Sequence, residues 1–400
     1  MTQEALVPAE GPRAGNRSLL RRMNSLGILE SVLERPRVLR DLAAVSGLSK
    51  TAVGAVVADL VELGWLRASG PQGDLRPGRP ASTYSTATDL GVLLALDVGA
   101  HHVNGVLTDL TGNRLAGRSV DVGEDEPAEP RIAAAVALAD ALLAESDVTR
   151  ADVWALTVGS PGVVDTEGVV SYFGGEGMPG WTGLDLRTRF GREFDCAVLV
   201  EGDVALGAHA EVGFGDARDV GDVVYVLCGR RTSGAVILGG RVHRGVHGAA
   251  GIVGELPELR WADLNEKYGT DVLTAPRPSR ERIFELARAG EPAATAAVEE
   301  FADDLAIGTA AMVLTLDPEL VVIGGGSAPA ADVFLPRMTA TLATLCPMVP
   351  RVTASSLGPE AVALGGIALA QRRLREVLGS AVRELGSFPS PRETRALLPG

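Results

Sequence analysis

The sequence predicts a small helical domain closed by a β-hairpin, followed by a large α/β segment built as two tandem lobes. Three observations carry this prediction. Apolar residues recur at helical spacing up to Leu63 and then give way to two short strand-like runs. From Gly91 onward short apolar strands alternate with helical stretches, and the alternation starts afresh near Val223. Glycine clusters fall where those strands end, at Gly99, Gly159, Gly229 and Gly324–Gly325–Gly326.

Each element has a local reason. Leu19, Leu20, Met23, Leu26, Leu29, Val32 and Leu33 mark a first helix that stops before Pro36. A second, from Leu39 to Val45, is closed by Gly47. Ser49 then stands as an N-cap, and Val53, Val56, Val57, Leu60 and Leu63 form the buried stripe of a third helix that ends at Gly64. Its opposite face presents Lys50, Thr51, Gly54, Ala55 and Ala58, two donors among small residues. Trp65 to Ala68 and Ala81 to Ser85 read as strands around a tip holding Arg76, Gly78, Arg79 and Pro80. Three helices and a basic-tipped hairpin are the layout of a winged helix-turn-helix. A three-helix protein-interaction module with a polar loop is the alternative from spacing alone.

In the large segment, strands are expected at Val92–Val98, Asn104–Asp109, Leu115–Val120 and Asp152–Gly159, with a helix over Pro130–Glu145. The second round has strands at Val223–Cys228, Ala235–Leu238 and Leu320–Ile323, and helices over Ser279–Ala289 and Pro292–Val313. Two such lobes bind a ligand in the cleft between them. The expected divisions are a disordered arm over 1–16, the winged helix-turn-helix over 17–88, the large domain over 89–380 and a tail over 381–400.

Bulk properties narrow the class. At 400 residues the chain exceeds one ordinary core, and 46% apolar with 22% charged residues is the mix of a folded protein. No run is apolar and long enough to cross a bilayer, and the first 16 residues lack the pattern of a secretory leader, so a cytoplasmic protein without a membrane partner is expected. Cys196, Cys228 and Cys346 are far apart and show no CxxC spacing, which argues against a disulfide framework or a thiolate zinc site. The net charge of −14 argues against nucleic acid, but its distribution does not. Residues 1–88 hold 11 Lys/Arg against 8 Asp/Glu, and the remainder holds 26 against 43. Contact with DNA is thereby confined to one end.

The order of motifs resembles the ROK family of repressors, open reading frames and kinases. Leu94 to Gly112 looks like that family's first phosphate loop. The runs Val158–Asp165, Pro179–Trp181, Val200–Glu211 and Leu316–Gly326 match in the same order, and the Gly78–Arg79–Pro80 wing looks like that of the repressor branch. The resemblance spans roughly Asn16 to Leu378. It implies an actin/hexokinase-like large domain with a duplicated ribonuclease H-like lobe, a homodimer or homotetramer, and a double-stranded DNA operator as partner. On that reading Ser49, Lys50, Thr51, Gly54, Arg76 and Arg79 face DNA.

The resemblance also exposes departures. Asp203 aligns with the catalytic base of the family's sugar kinases, but Gly202 and Gly177 stand where two sugar-binding Asn are expected. Ile252 replaces a sugar-binding Glu, Glu255 replaces a His shared by sugar and zinc, and the zinc-binding cysteine cluster is missing. The second phosphate loop reads Gly229, Arg230, Arg231, Thr232, Ser233, Gly234, and His101–His102 replaces Thr-Lys in the first. Phosphoryl transfer needs a base, a fixed sugar and backbone donors together. A domain without kinase activity, cofactor or metal is therefore expected, serving oligomerisation and the sensing of a small molecule, either a sugar derivative or an anion. An active ATP-dependent sugar kinase with an appended regulatory domain is the alternative. The ligand-pocket candidates are Asp203, Glu255, Arg230, Arg231 and His247. Asp203 reads equally as a helix N-cap, Glu255 and His247 as loop residues, and the two arginines as partners of their own acidic surface.

Overall fold

The computed structural model describes residues 14–70, 82–87, 89–174, 177–262, 264 and 279–398. They form two compact units, one of the described residues among 14–92, 109–113 and 371–398, the other of those among 93–108 and 114–370. Among the described residues no single helix is long and apolar enough to cross a membrane.

The first unit begins with helix α1 (Ala14–Glu34), so part of the stretch expected as a disordered arm is helical. It buries Ile28, Leu29, Val32 and Leu33, whereas Leu20 and Met23, assigned to the same stripe, are exposed. Strand β1 (Arg37–Val38) leads into α2 (Leu39–Ser46), which ends where Gly47 takes the left-handed conformation at φ 69°. Three residues later α3 (Lys50–Glu62) starts, and the chain turns through 110° between these two helices. That angle and turn length are those of a helix-turn-helix. Strands β2 (Leu66–Ser69) and β3 (Thr83–Thr86) pair antiparallel, and β1 adds to β3 as a third strand. The hairpin tip, with Arg76 and Arg79, lies outside the described residues.

The second unit repeats one lobe plan twice. In the first lobe β4 (Val92–Val98), β5 (His102–Asp109) and β6 (Arg114–Asp121) run consecutively, helix α4 (Ala128–Glu145) follows, and β7 (Val153–Ser160) leads to a small hairpin, β8 (Val163–Val164) and β9 (Val170–Tyr172). Helix α5 (Leu186–Gly191), β10 (Ala197–Gly202) and α6 (Asp203–Phe214) complete it. The second lobe holds β11 (Val223–Cys228), β12 (Thr232–Leu238), β13 (Arg241–His243), α7 (Arg280–Arg288), α8 (Pro292–Leu316), β14 (Leu320–Gly324), α9 (Ala331–Leu345) and β15 (Arg351–Ala354). The sheet orders, β10-β7-β4-β5-β6 and β13-β12-β11-β14-β15, are the same order read from opposite ends. In each, three consecutive strands are extended by two later ones, with β10 parallel to β7 and β15 to β14. Buried apolar runs such as Leu320–Ile323 are what a sheet covered on both faces requires. Phe284, Phe301 and Phe334 from the three helices of the second lobe meet at ring separations of 5.3 to 5.8 Å.

Helix α10 (Ala361–Glu384) starts in the second unit, where a Cβ on Gly365 would collide with the Leu206 carbonyl and one on Gly366 would come within 2.8 Å of Ala95. From residue 371 it belongs to the first unit, although the large domain was expected to run to 380. Nor is the stretch after 380 a free tail. Ser390 and Glu393 form a capping box for helix α11 (Pro391–Leu397). The fully buried Trp65 indole donates to the Pro389 carbonyl at 2.8 Å, and Arg22 donates to the Val382 carbonyl at 2.9 Å. Removing residues 385–400 would take the Pro389 acceptor from the Trp65 indole and expose the core around it. A single hydrogen bond contributes about 0.5–1.5 kcal/mol. We expect the truncated chain to show a lowered denaturation midpoint and a red-shifted Trp65 emission, read against a Trp65→Phe control; unchanged values would exclude this anchoring.

Candidate nucleic-acid interface and effector cleft

The exposed end of α3 is built by its cap. Ser49 Oγ accepts from the Ala52 N–H at 3.2 Å, which fixes the start of the helix and leaves Lys50 and Thr51 exposed in the first turn. A Cβ on Gly54 would meet nothing within 4 Å, so the helix surface is open for a close approach there. Arg21 of α1 grips Asp59 of α3 at 2.6 Å and sets the two helices against each other. The structure thus brings Ser49, Lys50, Thr51 and Gly54 to one helix end. A helix N-terminus offers free amides and a positive dipole end to a phosphate.

In the cleft of the second unit, two carboxylates stand close. Asp203 is not an N-cap: Gly202 takes that place, and Asp203 is the first residue of α6, its Oδ1 accepting from the Val204 N–H at 2.8 Å. Burial, and then the Asp97 charge, push the Asp203 carboxyl up to about 7, against the opposing pull of Val204 N–H and Arg231. Asp97, buried at the end of β4, is raised as well; burial dominates there, and the Asn104 amide at 3.1 Å and His102 oppose it. Nearby, the buried Glu201 accepts from the Gly202 N–H at 3.0 Å and pairs with Arg244 at 2.7 Å.

The rim residues pair among themselves. Arg231 donates to the Gly174 carbonyl at 2.7 Å and lies 3.8 Å from Glu255, which accepts from the Tyr172 hydroxyl at 2.7 Å. Arg230 and His101 each lie 3.7 Å from Glu124. Glu124 also fills the space beside Gly177, where a Cβ would sit 2.7 Å from its Cγ. Behind this rim the buried Arg131 donates to the carbonyls of Gly99, Ala100, Gly123, Glu124 and Glu126, tying the first glycine turn to the Glu124 loop. Of the five pocket candidates, Arg231 and Glu255 are joined directly and Arg231 acts on Asp203. Arg230 joins Glu124 instead, and His247 is exposed with no hydrogen bond or ion pair linking it to the others among the described residues.

Sequence reasoning missed Asp97, Glu124, Tyr172, Glu201 and Arg244. Asp97 and Glu201 had a visible signal, a lone acid at the end of an apolar strand. The others are identified only by what lies across the cleft.

The raised Asp203 carries a pH signature. Between pH 3.8 and about 7 the folded protein binds this proton and the unfolded chain does not. Stability therefore falls as pH rises through that window. Asp203→Asn removes the penalty, so the variant's advantage over the wild type is expected to be larger at pH 8 than at pH 4, by on the order of 1 kcal/mol or more. Denaturant titrations at both values check this, and a difference independent of pH would contradict it.

The ROK family model matches residues 93–259 and 265–373. The xylose repressor of Caldicellulosiruptor bescii is 22% identical over 396 residues, covering 89% of this chain and 97% of that protein. The xylose repressor of Bacillus subtilis is 22% identical, covering 77% of this chain and 83% of that protein. Among solved structures, a ROK family transcriptional regulator homologous to the Escherichia coli Mlc protein superposes with a TM-score of 0.69 at 19% identity, over 91% of this chain and all of that one. A ROK hexokinase from Thermus thermophilus reaches 0.54 at 25% identity, over 70% of this chain and 97% of that one. With more than half of its length matched by the family model, from the first lobe through the second, the chain belongs to the ROK family.

Proposed function

We propose that the protein is a DNA-binding transcriptional repressor whose sugar-kinase-like domain no longer transfers phosphate. One observation carries the reading. The match to a ROK regulator extends over 91% of this chain, whereas the ROK hexokinase covers only 70%. The helix-turn-helix geometry of α2 and α3, with the capped and exposed end of α3, supports the same conclusion. Lys50 and Thr51 reach base edges in the major groove, while Arg76 and Arg79 on the wing follow the backbone or the minor groove. The large domain serves homo-oligomerisation, as a palindromic operator demands of a two-fold symmetric protein, and it senses a small molecule related to a sugar.

The cleft supports loss of catalysis. Asp203 remains, but its neighbours are Gly202, Gly177 and Ile252, and the guanidinium groups in the phosphate loop are engaged with Glu124 and Glu255. Asp203 by itself holds neither sugar nor nucleotide.

Two measurements test these statements. Selection of duplexes from a random pool by the full chain should yield a two-fold symmetric site. Thr51→Ala should then change preference at one position per half-site, costing about 1–3 kcal/mol there. Arg79→Ala should weaken binding to all sequences and flatten the salt dependence by about one log–log unit per lost contact. Operator binding that survives deletion of residues 1–85 would overturn the reading. For catalysis, an ATP-coupled assay over a panel of sugars should record no turnover; sugar-dependent ADP release by the wild type, abolished in Asp203→Asn, would establish the kinase alternative.

A further inference from the structure

Several polar side chains at the cleft bond across it from one lobe to the other. Arg244, just after β13 of the second lobe, reaches Glu201 at the end of β10 in the first, at 2.7 Å, and donates to the carbonyls of Val164 and Asp165 at 3.1 and 3.3 Å. Four residues on, Gly248 stands at φ 76°, and a Cβ there would collide with the Val164 carbonyl. The backbones of the two lobes are in contact at that point. At the rim, Tyr172 and the Gly174 carbonyl from the first lobe meet Glu255 and Arg231 from the second, and Glu124 meets Arg230.

We propose that the cleft is fastened by the protein's own side chains, with Arg244–Glu201 as a buried bolt and Tyr172–Glu255–Arg231 as an outer clasp. Glu255 and Arg231 stand where ligand-binding groups were expected, so the same substitutions that remove ligand contacts supply the clasp. The two parts differ in weight. Glu201 is 5% exposed, so its ion pair with Arg244 is shielded from solvent and losing Arg244 would take a positive charge away from a desolvated carboxylate. Arg231 and Glu255 are 41% and 46% exposed, and their attraction is screened by salt. The bolt therefore dominates. Its consequence is regulatory. A ligand shifts a two-state domain only by its differential affinity for the two states, and a cleft already fastened has little left to shift. The large domain is biased to its closed arrangement before any small molecule arrives. The inference rests on the sugar-kinase-like fold and not on DNA binding, and its test involves no DNA.

Hydrogen–deuterium exchange on the full chain reads the fastening directly. In Arg244→Ala, residues 163–172 and 244–256 should exchange at least about 10-fold faster, with β4 and β14 unchanged. Tyr172→Phe, an exposed change that threatens the fold little, should speed the same segments about 2-fold. Reversing the bolt with Glu201→Arg and Arg244→Glu together should restore part of the protection lost in either single variant. The proposal is overturned if both segments exchange at unprotected rates in the wild type. It is equally overturned if Arg244→Ala and Tyr172→Phe both leave them at wild-type rates, or if Arg244→Ala accelerates β4 and β14 as much as the cleft.

Discussion

A close crossing at Gly365 and Gly366 sets the frame for the large unit. Without side chains at these two positions, the start of α10 lies against the Leu206 carbonyl of α6 and against Ala95 and Thr157 of the first sheet. Thr157 Oγ1 reinforces it by donating to the Gly366 carbonyl at 2.9 Å. Any larger residue would push the helix away, and with it the alignment of α6, whose first residue is Asp203. The cleft's carboxylate pair and the course of the C-terminal helix thus depend on the same few cubic ångströms of missing volume.

The fold of the large unit is sugar-kinase-like, and the side chains around its glycine turns and Asp203 pair with one another. Buried Arg131, with five carbonyl acceptors, holds the turns in place with no substrate involved. Glu124 fills the space beside Gly177. A group lost from a binding site leaves either a void or an unpaired polar atom, and both are costly in a close-packed interior. Here packing and pairing are satisfied within the chain.

What was legible in the sequence follows from range. The helix-turn-helix was legible because its signals are local: Gly47 for the turn, Ser49 for the cap and the Val53–Leu60 stripe for the buried face. The repeated lobes were legible because strands such as Val92–Val98, Val223–Cys228 and Leu320–Gly324 are apolar runs that end at or just before a glycine. The C-terminal boundary was not, since the acceptor for Trp65 lies 324 residues away and no spacing rule connects the two. The cleft was half legible. Alignment with a known motif order could say which groups had gone, but Tyr172 and Glu255, 83 residues apart, meet only because two lobes face each other. Asp203 shows the same limit from another side: its identity was clear, while its raised pKa comes from burial and from Asp97, 106 positions earlier in the chain.

The Trp65–Pro389 hydrogen bond carries a consequence for synthesis. Domains ordinarily fold in the order in which the ribosome delivers them, the N-terminal one first. Here the helix-turn-helix emerges first, but part of its core arrives with residues 371–398, after the whole large unit has been made. A nascent chain therefore carries an incomplete helix-turn-helix unit for most of its time on the ribosome, and a product terminated before residue 389 lacks the carbonyl that Trp65 meets in the finished chain.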